Sequence, residues 1–366
     1  VTTVHVVLPD TVTDPARPSG GNTYDRRVCS ELSGLGWSVR VHLVPGPWPH
    51  PGARSEAALA AGLAALPRDA VVLLDGLVAS WTPEVVVPEA ARLRVVVLVH
   101  LPLGHPTSWQ SREPERAERE RAVLTASAAV LATSEWTRRW LLDHYDLHPD
   151  RVHVAAPGVD LAIPATGSES GSELLCVAAV VPAKGHRELL DALATLGDRS
   201  WRLVCAGSLD LDPDHVASLR VRCHDAEIAD RVTFVGPLTG RDLDDAYAAA
   251  DVLVHPSRME TYGLVATEAL ARGLPVIATS VGGIAEALGT APDGTTPGLL
   301  VPPTAASEGA ADVGAADGLG RALRCWLEDA GLRERLRTAA TARRTTLSPW
   351  STTATQVAAV LTRVAA

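Results

Sequence analysis

Short aliphatic runs, continuous rather than alternating with polar residues, recur along the chain and are separated by stretches whose apolar positions repeat every three or four residues. Val4–Leu8, Val39–Val44, Ala70–Leu74, Val95–His100, Ala128–Ala132 and Val152–Ala155 are predicted strands, with helices such as Tyr24–Leu35, Ser55–Leu66 and Glu113–Thr125 between them. A strand that is apolar at every position is covered on both faces, the condition of a parallel sheet flanked by helices. After Pro157-Gly158-Val159-Asp160 comes Pro164–Ser172, rich in Ser, Gly and Thr, which reads as a linker. The alternation then restarts. Leu174–Val181, Trp201–Ala206, Val232–Val235, Val252–His255, Val276–Thr279 and Leu299–Val301 are strands. His186–Leu196, Pro213–Ala229, Gly240–Ala250, Gly263–Arg272 and Ile284–Leu288 are helices. The predicted class is α/β, with two Rossmann-like doubly wound domains facing a central cleft where strand ends and helix N-termini meet a ligand.

Length agrees with two domains, since 366 residues with 46% hydrophobic and 21% charged positions supply ordinary packed cores. A formal charge of -10 argues against a broad basic surface, so no nucleic-acid partner is expected and peripheral contact with an anionic membrane is disfavoured. Cys29, Cys176, Cys205, Cys223 and Cys325 have neither metal spacing nor an even count, which points to a reduced, cytoplasmic setting. Val1–Leu8 lacks the basic start and long apolar region of a signal peptide. Arg112–Arg121 mixes four arginines with four glutamates and reads as a solvated helix face. Ala305–Ala316, rich in Ala and Gly, reads as a surface excursion.

Among 33 basic residues, Lys184 is the one lysine. Abundant Ala and Arg suggest a high-GC genome in which lysine codons are avoided, so this position draws attention. It lies in Val180-Val181-Pro182-Ala183-Lys184-Gly185-His186, where a strand closes and a helix opens. A second strand ends at His255, a loop holds Glu260, and a helix opens at Gly263 and carries Glu268. The free N–H groups of a first helical turn favour an anion, and glycine permits its close approach. Two carboxylates straddling such a turn fit a phosphate that carries hydroxyl groups on both sides, because an ionised carboxylate only accepts hydrogen bonds.

Asp251–Thr279, with Gly282-Gly283-Ile284-Ala285-Glu286, closely resembles the Glu-x7-Glu region of glycosyltransferase family 4, the retaining nucleotide-sugar transferases of the GT-B fold. The resemblance implies that Glu260 holds sugar hydroxyls, Glu268 the ribose, and the amides of Gly263, Leu264 and Val265 the diphosphate. Val235, closing its strand, joins the nucleotide-binding set. Lys184 matches the lysine of the family's second phosphate element, but Ala179 stands where that element has arginine, and Arg258 is the candidate substitute. Gly20 and Gly21 resemble the N-terminal glycine loop that approaches the donor phosphate. His100 resembles the histidine that contacts the donor sugar. The implied domains are 1–160 with the crossing-back helix 349–366, and 161–348.

The resemblance further implies front-face transfer, in which the departing phosphate takes the acceptor's proton and the protein positions groups and stabilises charge. Glu260, Lys184 and His100 are then the catalytic set. A UDP- or GDP-linked hexose or N-acetylhexosamine is the expected donor, a small molecule or glycan the acceptor, and neither a metal nor a cofactor is expected. Epimerisation or hydrolysis of a nucleotide sugar, and non-catalytic nucleotide-sugar binding, are the alternative readings. Six of the nine tryptophans, including Trp48, Trp81 and Trp109, lie in the first half, where aromatic faces can stack on an acceptor or pack the core.

Overall fold

A computed structural model describes residues 2–14, 18–48, 50–106, 113–168, 170–303 and 313–366. The chain divides into two compact units, one made of Val1–Asp14, Ser19–Gly158 and Ser348–Ala366, the other comprising Val159–Leu347. In the first unit β1 (Thr3–Pro9), β2 (Ser38–Val44), β3 (Val71–Asp75), β4 (Arg94–Val99), β5 (Ala129–Ala132) and β6 (Val152–Val154) form a parallel sheet in the order β2-β1-β3-β4-β5-β6. β3 and β5 are buried at every position, as strands covered on both faces must be. The helix Trp350–Ala365 belongs to this unit: Trp350 meets Tyr24 edge-on at 5.8 Å, and Thr353 Oγ1 donates to the Ala156 carbonyl at 2.8 Å.

The second sheet holds β7 (Glu173–Val177), β8 (Arg202–Ala206), β9 (Val232–Gly236), β10 (Val252–His255), β11 (Val276–Thr279) and β12 (Gly298–Val301) in the order β12-β11-β10-β7-β8-β9. β7 therefore has β8 on one side and β10 on the other, a reversal of strand order that opens a crevice at the carboxyl ends of β7 and β10. The helix His186–Ala194 buries Leu189, Leu190 and Leu193 in a core shared with Trp201, Leu203, Leu323 and Trp326.

Four expectations change. β7 ends at Val177 instead of reaching Val181, because Val180 N–H turns to the Ser208 carbonyl and Pro182 follows. Gly20 and Gly21 are not loop residues. Ser19 Oγ accepts from Asn22 N–H at 3.0 Å and starts the helix there, four residues before Tyr24. Of Ala305–Ala316, residues 305–312 lie outside the described set, but from Val313 the chain is helical to Glu328, with Leu319, Leu323 and Trp326 in the core. The charged run forms the helix Glu113–Ala126, yet it is not uniformly solvated. Glu120 is 1% exposed and accepts from Tyr145 O–H at 2.5 Å and Gly104 N–H at 3.1 Å. Burial pushes its carboxyl up to about 7 against those bonds.

Asp251, buried at the start of β10, ties the segment before β7 to the second core. Its carboxylate accepts from Ser168 N–H at 2.6 Å, Glu173 N–H at 2.9 Å and Arg337 at 2.8 Å. Ser168 Oγ also donates to it at 2.6 Å, so Asp251→Ala removes an acceptor from all four donors. We expect a loss of about 3–5 kcal/mol, the range for breaking a buried ion pair from one side. Urea unfolding followed by tryptophan fluorescence measures it, and a loss under about 1 kcal/mol would show that the carboxylate is dispensable.

Candidate active site

The strand reversal in the second sheet decides where the predicted residues go. Lys184 follows β7, Glu260 follows β10, and these two strands are neighbours. Lys184 Nζ donates to Glu260 Oε1 at 2.5 Å, and His255, the last residue of β10, brings Nε2 to the same oxygen at 2.8 Å. Burial works against the charge on Glu260, but Lys184 and His255 outweigh it and hold the carboxyl well below the usual range. No described residue partners Glu260 Oε2, and the His255 Nδ1 atom is buried without a partner.

Glycine brings the loops together. Gly282 has φ +56, and a Cβ there would fall 1.6 Å from the Glu260 carbonyl oxygen, so no other residue lets the loop after β11 reach the Glu260 backbone. Gly263 caps the helix Leu264–Leu270 at φ +100. The N–H groups of Leu264 and Val265 open that helix and have no acceptor within it. Glu268, on the same helix, accepts from Tyr247 O–H at 3.0 Å. Burial raises the Glu268 carboxyl, against the Tyr247 hydrogen bond and the Arg272 guanidinium, which lies 4.4 Å over the Tyr247 ring.

Two further predicted residues have contacts of their own. Arg258 lies beside the Lys184 turn, its N–H donating to the Ala183 carbonyl at 2.9 Å, and its guanidinium pairs with Glu188, with Nε donating at 2.9 Å. Val235 lies on β9, the edge strand, and is 41% exposed, two strands from β7. Ala179 sits in the turn after β7 with its carbonyl accepting from Val181 N–H.

In the first unit, Gly20 and Gly21 form the opening turn of the helix Gly20–Gly34, and Gly21 lies against the His100 ring. His100 follows β4, and its Nε2 stands 2.9 Å from Asp25 Oδ1 and 3.6 Å from Asp75 Oδ2. Asp75 ends β3 and caps the next helix, Oδ1 accepting from Leu77 N–H at 2.8 Å and Val78 N–H at 3.2 Å. One ligand atom from each of Asp25, Asp75 and His100 lies within 4.8 Å of the others, and within this cluster the imidazole is hydrogen-bonded to Asp25. The sequence pattern singled out His100 but neither aspartate, since nothing in the spacing of residues 25, 75 and 100 links them before the sheet forms. The sequence contains Asp-x-Asp triplets at Asp210-Leu211-Asp212-Pro213-Asp214 and Asp242-Leu243-Asp244, in which Asp212 accepts from His215 N–H at 3.0 Å as a helix cap and Asp244 pairs with Arg272. Trp109 is outside the described residues; Trp48 donates to the Val44 carbonyl at 3.0 Å, and Trp201 and Trp326 are core residues.

Two family models tile the chain, Glycosyltransferase Family 4 over residues 3–163 and Glycosyl transferases group 1 over residues 164–343. With the Glu-x7-Glu constellation and the fold described above, they show that the chain belongs to the family 4 type of glycosyltransferases. A D-inositol 3-phosphate glycosyltransferase of Pseudarthrobacter chlorophenolicus is 36% identical over 50% of this chain and 46% of its own length. Another, of Jonesia denitrificans, is 35% identical over 68% of this chain and 60% of its own. The chain thus spans about half the length of the curated relatives it matches. Among solved structures, a sucrose-phosphate synthase of Thermosynechococcus elongatus matches with TM-score 0.79 and 22% identity over 99% of both chains. HepE of Anabaena in complex with UDP-glucose matches with TM-score 0.78 and 17% identity over 99% of this chain and 100% of its own. The shared fold is GT-B.

The Glu260 cluster sets a pH dependence. A carboxyl held below its ordinary 4.5 contributes stability that is complete above that value and is lost as pH falls through the depressed one. Glu260→Gln should therefore cost about 1–3 kcal/mol at pH 7, by the usual worth of charge-assisted hydrogen bonds. The difference from the parent protein should shrink steadily below pH 4.5. Urea midpoints across pH 3–8 test this, and a cost independent of pH would assign the loss to packing instead of charge.

Proposed function

We propose that the chain transfers a hexose or N-acetylhexosamine from a UDP- or GDP-linked donor to a hydroxyl of a small-molecule or glycan acceptor, with retention at the anomeric carbon. The observation that carries this reading is the meeting of Lys184 and Glu260 at the strand reversal of the second sheet, beside a helix opening at Gly263. In the absence of donor each neutralises the other. A donor diphosphate competes for the Lys184 ammonium, and the sugar hydroxyls take its place on Glu260. The amides of Gly263, Leu264 and Val265 hold the phosphates, and Glu268, with one oxygen already aligned by Tyr247, accepts from the ribose. His100, Gly20 and Gly21 take the sugar and phosphate contacts that the family resemblance implies.

Charge builds on the leaving diphosphate as the glycosidic bond breaks. Lys184 and the helix amides stabilise it, and the phosphate oxygen receives the acceptor's proton, so no protein nucleophile is required. Cation and amides together supply the stabilisation that a divalent metal supplies elsewhere, and the reaction runs without one. The name of HepE's bound ligand, UDP-glucose, supports a uridine donor, and the names of the inositol-phosphate relatives support a small polyol acceptor.

Lys184→Ala should lower turnover about 100-fold, the scale for losing one stabilising group at a developing charge. Glu268→Ala should act mainly on the donor KM. Mass-spectrometric screening of donors and acceptors identifies the pair to assay, and NMR of the product's anomeric proton reads the stereochemistry. Parental turnover in both variants would remove the site assignment, inversion would remove the front-face reaction, and loss of activity with a chelator restored by manganese would overturn metal independence.

A further inference from the structure

His100 is held in an unusual way for a strand-end histidine. Nε2 alone faces two buried carboxylates, Asp25 Oδ1 at 2.9 Å from the helix Gly20–Gly34 and Asp75 Oδ2 at 3.6 Å from the end of β3. Asp25 and Asp75 side chains are 2% and 6% exposed, whereas that of His100 is 20% exposed. Among the described residues, Tyr24 is the further titratable group against the ring, edge-on at 5.3 Å, and its hydroxyl is spent on the Ala155 carbonyl at 2.9 Å. Gly21 covers the ring's Cγ–Cδ2 side without a side chain. Among the described residues, none bonds Nδ1.

From this geometry we propose that Asp25 and Asp75 are positioning residues that keep His100 an imidazolium, so that Nδ1 presents a fixed, cationic N–H to an oxygen of the bound sugar or phosphate. Acceptors on both sides of Nε2 require a proton there, and two nearby anionic charges favour a second proton on the ring. A neutral imidazole with its proton at Nε2 would offer Nδ1 as an acceptor; the charged ring offers a donor. The same clamp prevents His100 from serving as a general base, because both ring nitrogens already carry protons. Burial opposes the charge, but Asp25, by charge and hydrogen bond, and Asp75 outweigh it and raise the His100 pKa to about 9. Asp75 is itself held above the usual carboxylate range by burial and by Asp25, against His100 and its two backbone donors, so the cluster has one cation for its two acids.

The clamp stands on geometry alone; its use on a substrate rests on the proposed function, and the test separates them. Ring-15N-labelled full-length protein, with His100 assigned from a His100→Gln variant among the 12 histidines, is titrated by NMR. We expect both ring nitrogens of His100 to remain protonated through pH 8 and the midpoint to drop by about one unit or more in Asp75→Asn. A parental midpoint at or below 6.5 overturns the clamp without recourse to any variant. In the assay, kcat/KM should fall on the alkaline side with the His100 midpoint, and that limb should move to lower pH in Asp75→Asn. A rise in kcat/KM through pH 6.5 that follows deprotonation of His100 would make it a base and overturn the donor role. An alkaline limb that does not move, with the NMR result intact, would leave the clamp and remove its action on substrate.

Discussion

Everything proposed for the second unit depends on one adjacency, that of β7 and β10. Residues 184 and 260 are far apart in the chain, and they meet because the strand order runs outward in both directions from this pair. The carboxyl ends of the two strands then share a crevice, and whatever follows them in sequence is delivered to the same place. Here the delivered groups are a cation and a carboxylate, and a histidine at the end of β10 steadies the carboxylate. Bringing such charges out of water is costly, and the contact is tolerable because each group satisfies another. A pair that is balanced when alone and rebalanced by a diphosphate and hydroxyls is well suited to exchange partners.

The first unit repeats the device with the signs of charge rearranged. Its strand order reverses beside β1 and β3, and Asp75 leaves β3 where the next strand, β4, delivers His100. One base sits between two acids there, whereas in the second unit one acid sits between two bases. In each case a single atom, His100 Nε2 or Glu260 Oε1, takes both partners and the rest of the group is left for something else. The two clusters share a logic of topology: a doubly wound sheet places chemistry at the ends of the strands where its order turns.

Most of the fold was legible in the sequence because a strand buried on both faces writes itself as an unbroken aliphatic run. The Lys184 and Glu260 elements were legible as motifs, since their glycines and carboxylates are close in sequence. Partners that meet only through the sheet were not legible. Asp25 and Asp75 carry no local mark, and His255 looks like any histidine closing a strand. Glu120 was misread for a physical reason. Within a run of alternating charge, a carboxyl that turns inward to a tyrosine hydroxyl and a backbone amide has the same sequence pattern as one facing solvent. Arg258 stood out by its proximity to Glu260 in sequence, but its pairing with Glu188 was not legible there.

Lys184, paired with Glu260 at rest, is proposed to move to the second phosphate of a bound nucleotide. Calorimetric titration of UDP against UMP, and of GDP against GMP, isolates that phosphate in the parent protein and in Lys184→Met. For the base the protein accepts, the diphosphate should bind at least about tenfold tighter in the parent, a modest return for a charge-assisted contact. In Lys184→Met that preference should collapse while the monophosphate affinity stays unchanged. An undiminished diphosphate preference in Lys184→Met would remove Lys184 from the phosphate site.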